Sequence, residues 1–193
     1  NMKNDVLAHE ASLKLAKANF YKKDFDWTLQ QVKNLKQSSS LLIANDAVEL
    51  FLLIQDNSIE DSLRVALQAY AKADLQLYQK KNEEALQSFL TILEKHKGES
   101  IEDETLLKIA DIYYQKKDYL KALSYYQNIL DNHKEGIYID EALFFSAEIY
   151  RKHLLDNEKA KPLYEKMVLE HPDSLYYTES RKQYRTLRGD TTI

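Results

Sequence analysis

The stretch LEHPDS at residues 169–174 places a histidine, an aspartate and a serine within four positions of one another. A serine activated by a histidine is the usual core of a nucleophilic catalytic site, so His171 is the first residue to consider. The same histidine occurs twice earlier in the chain, each time eleven residues after an alanine, which gives the set His96, His133 and His171. Catalysis needs one such histidine rather than one in every repeat.

These three histidines stand where helices are expected to stop. Each comes shortly before a glycine or a proline, namely Gly98, Gly136 and Pro172. A positively biased side chain is favourable at the negative end of a helix, and glycine or proline then ends the helix. We therefore predict that His171 is a helix-end residue and that Asp173 and Ser174 cap a final helix at 173–188. Every other acid, base or nucleophile belongs to the repeat or to an ordinary charged helix face, so no catalytic residue is predicted.

The elements that carry these residues form a repeated helical hairpin. The alanines Ala85, Ala122 and Ala160 are spaced 37 and 38 residues apart, and an aromatic residue follows each of them by four positions. Apolar residues recur at helical spacing on both sides of a short polar break, as in residues 109–130. A period in this range indicates a helical solenoid, because one hairpin alone cannot bury its apolar faces.

The periodicity and the turn residues also predict where the helices lie. SIED occurs at 58–61 and again at 100–103, and it approximates a capping box at which a helix begins. Pro162 must lie in or near the first turn of its helix, or it removes a backbone hydrogen bond. Helices are expected near 4–22, 25–37, 40–55, 59–80, 83–97, 101–116, 119–133, 138–153, 157–171 and 174–188.

Composition narrows the class of protein. Three glycines and two prolines in 193 residues are too few for a β-sandwich or a glycine-rich nucleotide-binding fold, which favours an all-α chain. A formal net charge of −4 argues against nucleic acid as a partner. Because the chain has no cysteine, disulfides and thiolate metal sites are excluded. We predict no cofactor and no metal.

The most apolar segment is LLIANDAVELFLLI at residues 41–54. Such a helix would be about 21 Å long, which is shorter than the roughly 30 Å of a bilayer core, so no membrane span is predicted. The segment is expected to be a buried helix, or else to mediate self-association or pack on the rest of a parent chain. A cysteine-free chain suits the periplasm or envelope and the cytoplasm alike, so the compartment is open, and Asn1 ahead of Met2 leaves room for a removed leader or a longer parent chain.

At these residues the chain resembles the tetratricopeptide repeat family. Leu106, Ile109, Ala110, Tyr113, Ala122, Tyr126 and Ile129 fit its pattern best, and Leu143, Ala147, Tyr150, Ala160, Tyr164, Met167 and Pro172 fit it next best. The resemblance implies a right-handed α-α superhelix of about ten helices spanning 1–193 as one solenoid. It divides the chain into a degenerate first repeat at 5–37, an extra apolar helix at 40–55, three repeats at 59–172 and a C-terminal capping helix at 173–188.

A finer resemblance concerns the subgroup. The spacing exceeds the 34 residues usual in the family, and EHPDSLYYTES is similar to the joints of bacterial envelope-assembly and Tol-Pal-associated members. The tail RKQYRTLRGD is similar to the end of larger multi-repeat bacterial proteins, so the chain could be the C-terminal part of one.

The resemblance also implies where a partner would bind, because first helices line the groove of such arrays. Carried across position by position, the groove residues of interest are Phe20, Tyr78, Asp111, Tyr114, Gln115, Phe144, Glu148 and Arg151. Chaperone-binding members hold a terminal carboxylate with basic and amide side chains at places that here carry Leu107, Asp111, Phe144 and Glu148, so that mechanism is not expected. The aromatic and acidic surface that is left suits an apolar peptide, which can also be basic, or its aromatics only pack between adjacent helices.

Two classes of function follow from the resemblance. The first is a non-catalytic scaffold that binds a protein or peptide through the groove or through an exposed apolar end. The second is a solenoid regulator that senses a peptide or a small ligand.

Overall fold

The computed structural model describes residues 2–38, 40–59 and 63–190, and within these ranges the chain is all-α with no strand. Its ten α-helices are α1 (Met2–Tyr21), α2 (Phe25–Leu35), α3 (Leu41–Asp56), α4 (Val65–Tyr78), α5 (Asn82–Lys95), α6 (Glu102–Gln115), α7 (Tyr119–Asn132), α8 (Ile139–Glu148), α9 (Asn157–Glu170) and α10 (Tyr177–Arg188). The predictions of an all-α fold and of about ten helices are confirmed. The chain forms two compact units, Asn1–Glu102 and Asp103–Ile193.

The first unit contains the hairpins α1–α2 and α4–α5 together with α3, which packs mainly on α2. Its core includes Phe20, which lies against Phe25 with ring centroids 5.6 Å apart, and Tyr70, which meets Phe89 edge-on at 5.4 Å. The helix predicted from residue 59 begins instead at Val65. Ser58 does not open that helix, because its hydroxyl donates to the carbonyl of Ile54 in the last turn of α3. The acidic part of this predicted capping box, residues 60–61, lies outside the described residues.

Helix α3 is the apolar helix expected at residues 40–55. Five of its side chains are buried, namely Ile43, Ala47, Leu50, Leu53 and Ile54. Leu41 and Leu42 in its first turn are exposed. The described part of the chain has no helix that combines the length and the apolar character needed to cross a membrane. Self-association through this helix stays a prediction.

The second unit contains the hairpins α6–α7 and α8–α9, followed by α10, which packs on α9. The repeat alanines and aromatics are its core, since Ala122, Tyr126, Ala160 and Tyr164 have no exposed surface. Tyr184 and Leu187 of α10 pack against the cluster around Tyr164. Helix α10 begins at Tyr177, later than predicted, because Ser174 forms a turn in which its hydroxyl accepts from the backbone N–H of Tyr176 at 3.2 Å.

Each hairpin turns at a residue in the left-handed region of backbone space. These residues are Lys23, Lys80, Lys117 and Leu155, with φ values of 68°, 63°, 61° and 54°. At the end of α6, for example, the N–H of Asp118 donates to the carbonyl of Tyr113 at 3.0 Å and the N–H of Lys117 to that of Tyr114 at 2.9 Å. This is the Schellman arrangement, which satisfies the last carbonyls of a helix.

The fourth hairpin has one more residue between its helices than the third, and a π-helical turn at Ile149–His153 accommodates it. Here the N–H of Asp156 reaches back six residues to the carbonyl of Tyr150 at 2.8 Å, one residue further than in the other turns. Pro162 is the sixth residue of α9, past its first turn. The carbonyl of Glu158 therefore has no N–H four residues ahead of it, which is the backbone cost expected from a proline inside a helix.

Candidate functional site

The three repeated histidines are the C-cap residues of their helices. His96, His133 and His171 end α5, α7 and α9, and the backbone N–H of each donates to a carbonyl in the last helical turn. Nδ1 of His171 lies 2.7 Å from Oδ1 of Asp140, at the start of α8. His171 is thus a helix-end residue, as predicted, and its carboxylate partner comes from the preceding helix rather than from Asp173.

First helices of the second unit bring aromatic side chains together on one face. Tyr114 of α6 meets Phe145 of α8 with ring centroids 5.8 Å apart. Phe145 contacts Phe144 at 5.5 Å and Tyr176 at 5.8 Å, and Phe144 stacks on Tyr176 at 4.5 Å. All four rings are half-buried. We call Tyr114, Phe144, Phe145 and Tyr176 the aromatic surface.

Asp111, the predicted acid on α6, is hydrogen-bonded to a residue of α7. The hydroxyl of Tyr126 on α7 donates to Oδ1 of Asp111 at 2.8 Å. Burial, and then the neighbouring carboxylate, raise the pKa of Tyr126, so the phenol keeps its proton and remains a donor. Asp111 therefore holds α6 and α7 together within the hairpin.

Glu148, the predicted acid on α8, is buried within a network of hydrogen bonds. Glu148 is 4% exposed. Its carboxylate accepts from Nη2 of Arg151 at 3.0 Å, from Nζ of Lys152 and from the hydroxyl of Tyr164. Nε of Arg151 also donates to the Tyr164 hydroxyl at 3.1 Å. Burial by itself would raise the pKa of Glu148, but the hydrogen bonds from Lys152, Tyr164 and Arg151 outweigh it and hold that pKa below its usual value.

The charge of the predicted site therefore differs from the acidic surface expected from the sequence. Glu148 is buried and surrounded by two cations, and Asp111 is bonded to a tyrosine hydroxyl. The sequence pattern predicted which helix face carries the acids. It could not show that Arg151 and Lys152, three and four residues further along the chain, form ion pairs with Glu148 and neutralise it.

The eight residues predicted to line a groove are divided between the two units. Phe20 and Tyr78 belong to the first unit, and the other six belong to the second. Phe20 is only 2% exposed and packs on Phe25, so it is a core residue rather than a surface residue. Tyr78 is 73% exposed, with its ring 6.0 Å from that of Tyr21. Gln115 is exposed at the end of α6.

Sequence reasoning missed part of the aromatic surface. Phe145 directly follows the predicted Phe144, and it forms the link between Tyr114 and Tyr176. Tyr176 comes from the turn before α10, where the sequence predicted cap residues and a joint between repeats but no binding residue. His153 was also missed; it stacks on Tyr119 with ring centroids 4.0 Å apart. The paired phenylalanines at 144–145 were the one available signal.

The described residues offer no obvious place for a metal ion. Nowhere among them do three or more histidine or acidic side chains come together as a possible ligand set. A cavity of about 450 Å³ lies in the first unit and is lined by Asp56, Asn57, Val65, Ala66, His96, Glu99 and Ser100.

Comparison with known families agrees with the hairpin geometry. Residues 104–135 and 141–174 match the family model of the tetratricopeptide repeat. These two segments are similar to tetratricopeptide repeats. They cover the hairpins α6–α7 and α8–α9, which are the two for which the sequence motif fitted best. Tetratricopeptide repeats generally serve as non-catalytic scaffolds for interactions between proteins, which points to a protein partner. No curated protein matches the chain.

Proposed function

We propose that the chain is a non-catalytic scaffold that binds a protein or peptide on the aromatic surface of its second unit. The supporting observation is the row of half-buried rings that runs from Tyr114 through Phe145 and Phe144 to Tyr176. Tyrosine and phenylalanine provide a large contact area and lose little conformational entropy on binding. Because each ring already packs on its neighbour, the surface is held in place before a partner arrives.

The charges around this surface favour an apolar partner segment over a strongly basic one. Glu148 is neutralised by Arg151 and Lys152, and the phenol of Tyr126 occupies one oxygen of Asp111. These two acids therefore present little free negative charge to a basic peptide. We expect an extended or helical segment with apolar side chains against the rings and polar contacts to Gln115.

Site-specific photo-cross-linking tests this surface without disturbing its packing. A photoreactive amino acid at Gln115, which is exposed beside the rings, should form an adduct with a partner from an extract of the source organism. The same amino acid at Lys166, exposed on the second helix of its hairpin, is the matched control and should form none. If both positions give the same adducts, or if neither gives any, the aromatic surface is not the binding site.

Alanine substitutions provide a second measurement. Replacing Tyr114 and Phe144 together should weaken partner capture. It should also lower stability, since Tyr114 contacts Phe145 and Phe144 stacks on Tyr176. Circular dichroism must therefore show that the double variant is folded before its binding is compared.

The alternative proposal is a regulator that senses a peptide or small ligand. The cavity of about 450 Å³ in the first unit favours it, because small-molecule sites usually have volumes of this order. A metabolite that binds there should raise the melting temperature of the wild type. It should have little or no effect on a Ser100→Trp variant, in which a small lining residue is replaced by a bulky indole. If no metabolite distinguishes the two proteins, this alternative fails.

We further propose that the chain is a bacterial envelope-type protein and part of a longer polypeptide. Support comes from the repeat spacing of 37 and 38 residues and from the HPDS joint at 171–174. Fractionation of the source cells, followed by detection with an antibody against residues 103–190, tests both points. A cytoplasmic band of the size of this chain would contradict both.

A further inference from the structure

The turn between α8 and α9 differs from the other hairpin turns in composition as well as in length. Its left-handed residue is Leu155, whereas the corresponding residues of the other three hairpins are Lys23, Lys80 and Lys117. A lysine at this exposed place is easily hydrated. Leu155 is 80% exposed, which leaves an aliphatic side chain in water where the repeat otherwise places a charge.

A second departure lies in the hairpin before it. The second residue of α2, α5 and α9 is acidic, namely Asp26, Glu83 and Glu158. An acid in the first turn is favoured by the positive end of the helix. The second residue of α7 is Leu120, which is 71% exposed. This leucine neither caps its helix nor buries its side chain within the chain.

A ring stack connects the two turns that carry these departures. The ring of His153, at the end of the π-helical turn, stacks on the ring of Tyr119 with centroids 4.0 Å apart and planes 10° apart. Leu120 is the next residue after Tyr119, and Leu154 and Leu155 are the next residues after His153. The stack therefore brings the two turns into contact, with a leucine directly after each of its rings. We call Leu120, Leu154 and Leu155 the leucine patch.

Positive charge borders the leucine patch. Lys117 lies in the turn before Tyr119, and Lys152 directly precedes His153; both are exposed. Lys152 shares the carboxylate of Glu148 with Arg151, so these three groups together keep one net positive charge. The nearest acids of the two turns act as helix caps, because Asp118 accepts from the N–H of Lys121 and Asp156 from that of Lys159. These two acids are also paired with the ammonium groups of the same lysines.

We propose that the leucine patch binds a short acidic segment of a partner protein. Aliphatic side chains of that segment would cover Leu120, Leu154 and Leu155, and its carboxylates would face Lys117 and Lys152. The leucine patch has apolar residues at its centre and lysines at its rim. It therefore complements both the aliphatic and the acidic side chains of such a segment. The proposal does not depend on the aromatic surface, since it uses different residues and a partner that carries acidic as well as apolar side chains.

Fluorescence anisotropy with a designed peptide tests the proposal on the whole chain. The probe is a labelled peptide of about four helical turns, with leucines on one face and Asp or Glu elsewhere. One control peptide carries lysine in place of every acid, and another carries serine in place of every leucine. The acidic leucine peptide should bind at least about tenfold more tightly than either control.

Two substitutions in the leucine patch introduce the charged residue types that the other hairpins carry at the same positions. Leu120→Glu combined with Leu155→Lys should weaken binding by about tenfold or more while the circular dichroism spectrum is unchanged. Leu169→Glu is the matched control, because Leu169 is 72% exposed at the far end of α9, and it should leave binding unchanged. Lys117→Glu leaves the leucines in place and reverses one rim charge, so it should weaken binding by about threefold to tenfold.

Three results would overturn the proposal. The first is equal binding by the wild type and the Leu120/Leu155 double variant. The second is equal affinity for the acidic and the basic peptide, since the lysine rim would then have no influence. The third is concentration-dependent self-association in sedimentation velocity that the double variant abolishes, because a second copy of the chain would then be the occupant.

Discussion

Glu148 is the position at which one substitution should cost the second unit most through electrostatics. Glu148→Gln keeps the size of the side chain but removes its charge and one of its two acceptor oxygens. The carboxylate now receives hydrogen bonds from Arg151, Lys152 and Tyr164 while almost fully buried. In the variant, the amide N–H₂ must face at least one of these donors.

The size of the effect follows from the exposure of the partners. Hydrogen bonds to a charged group contribute about 1.5–3 kcal/mol each, and breaking a fully buried ion pair costs about 3–5 kcal/mol. The side chain of Lys152 is half exposed and that of Arg151 about a quarter exposed, so both cations can recover part of their hydration. We therefore expect a loss of about 2–3 kcal/mol, below the range for a fully buried pair.

The pH dependence has a definite sign. The pKa of Glu148 in the folded protein lies below its ordinary value of 4.5, because its hydrogen-bond donors outweigh burial. Between these two pKa values the unfolded chain binds more protons than the folded one, so stability rises with pH there. The contribution is fully present above pH 4.5 and is lost as pH falls through the folded-state pKa. Glu148→Gln should lack this component.

Hydrogen exchange read by mass spectrometry suits this test, because peptides covering α8 report on the second unit alone. The only tryptophan, Trp27, lies in the first unit and would not report on it. Urea titration followed by circular dichroism provides the free energy of unfolding. Glu170→Gln is the matched control, since Glu170 forms an exposed pair with Lys166 at 3.9 Å, and it should cost less than about 0.5 kcal/mol. A cost of that small size for Glu148→Gln would refute the buried network.

Three further substitutions have expected outcomes that urea titration can measure. Pro162→Ala should raise the free energy of unfolding by about 1–2 kcal/mol, because alanine restores the N–H that the carbonyl of Glu158 lacks; an unchanged value would contradict the cost assigned to that proline. Lys117→Gly should raise it by about 0.5 kcal/mol, because glycine adopts a φ of 61° without strain, and a lower value would argue against the left-handed turn. Tyr126→Phe should lower it by about 1 kcal/mol through loss of the 2.8 Å hydrogen bond to Asp111, and no change would show that this bond does not stabilise the hairpin.

Local sequence was enough to predict the helices and most of their ends. Apolar spacing fixes which face of a helix is buried, so Ala122, Tyr126, Ala160 and Tyr164 could be recognised as core. The signals that end a helix are also local in sequence, and for that reason the three histidines were correctly predicted to end their helices. The predicted start of α4 was wrong, because the hydroxyl of Ser58 donates to the carbonyl of Ile54 in α3 instead of capping the next helix.

The candidate surfaces depended on contacts between residues far apart in sequence. A pattern could place Phe144 and Glu148 on α8, but only packing showed that Phe144 stacks on Tyr176 and that Glu148 is enclosed by Tyr164 and two cations. The leucine patch likewise exists because the π-helical turn carries His153 onto Tyr119. Periodicity along a helix predicts to a first approximation which of its residues are buried, since their burial depends only on the axis of that helix and on the face that it turns toward the core. Which side chains meet across two hairpins depends on the turns between them, and one additional residue at Ile149–His153 was enough to change that.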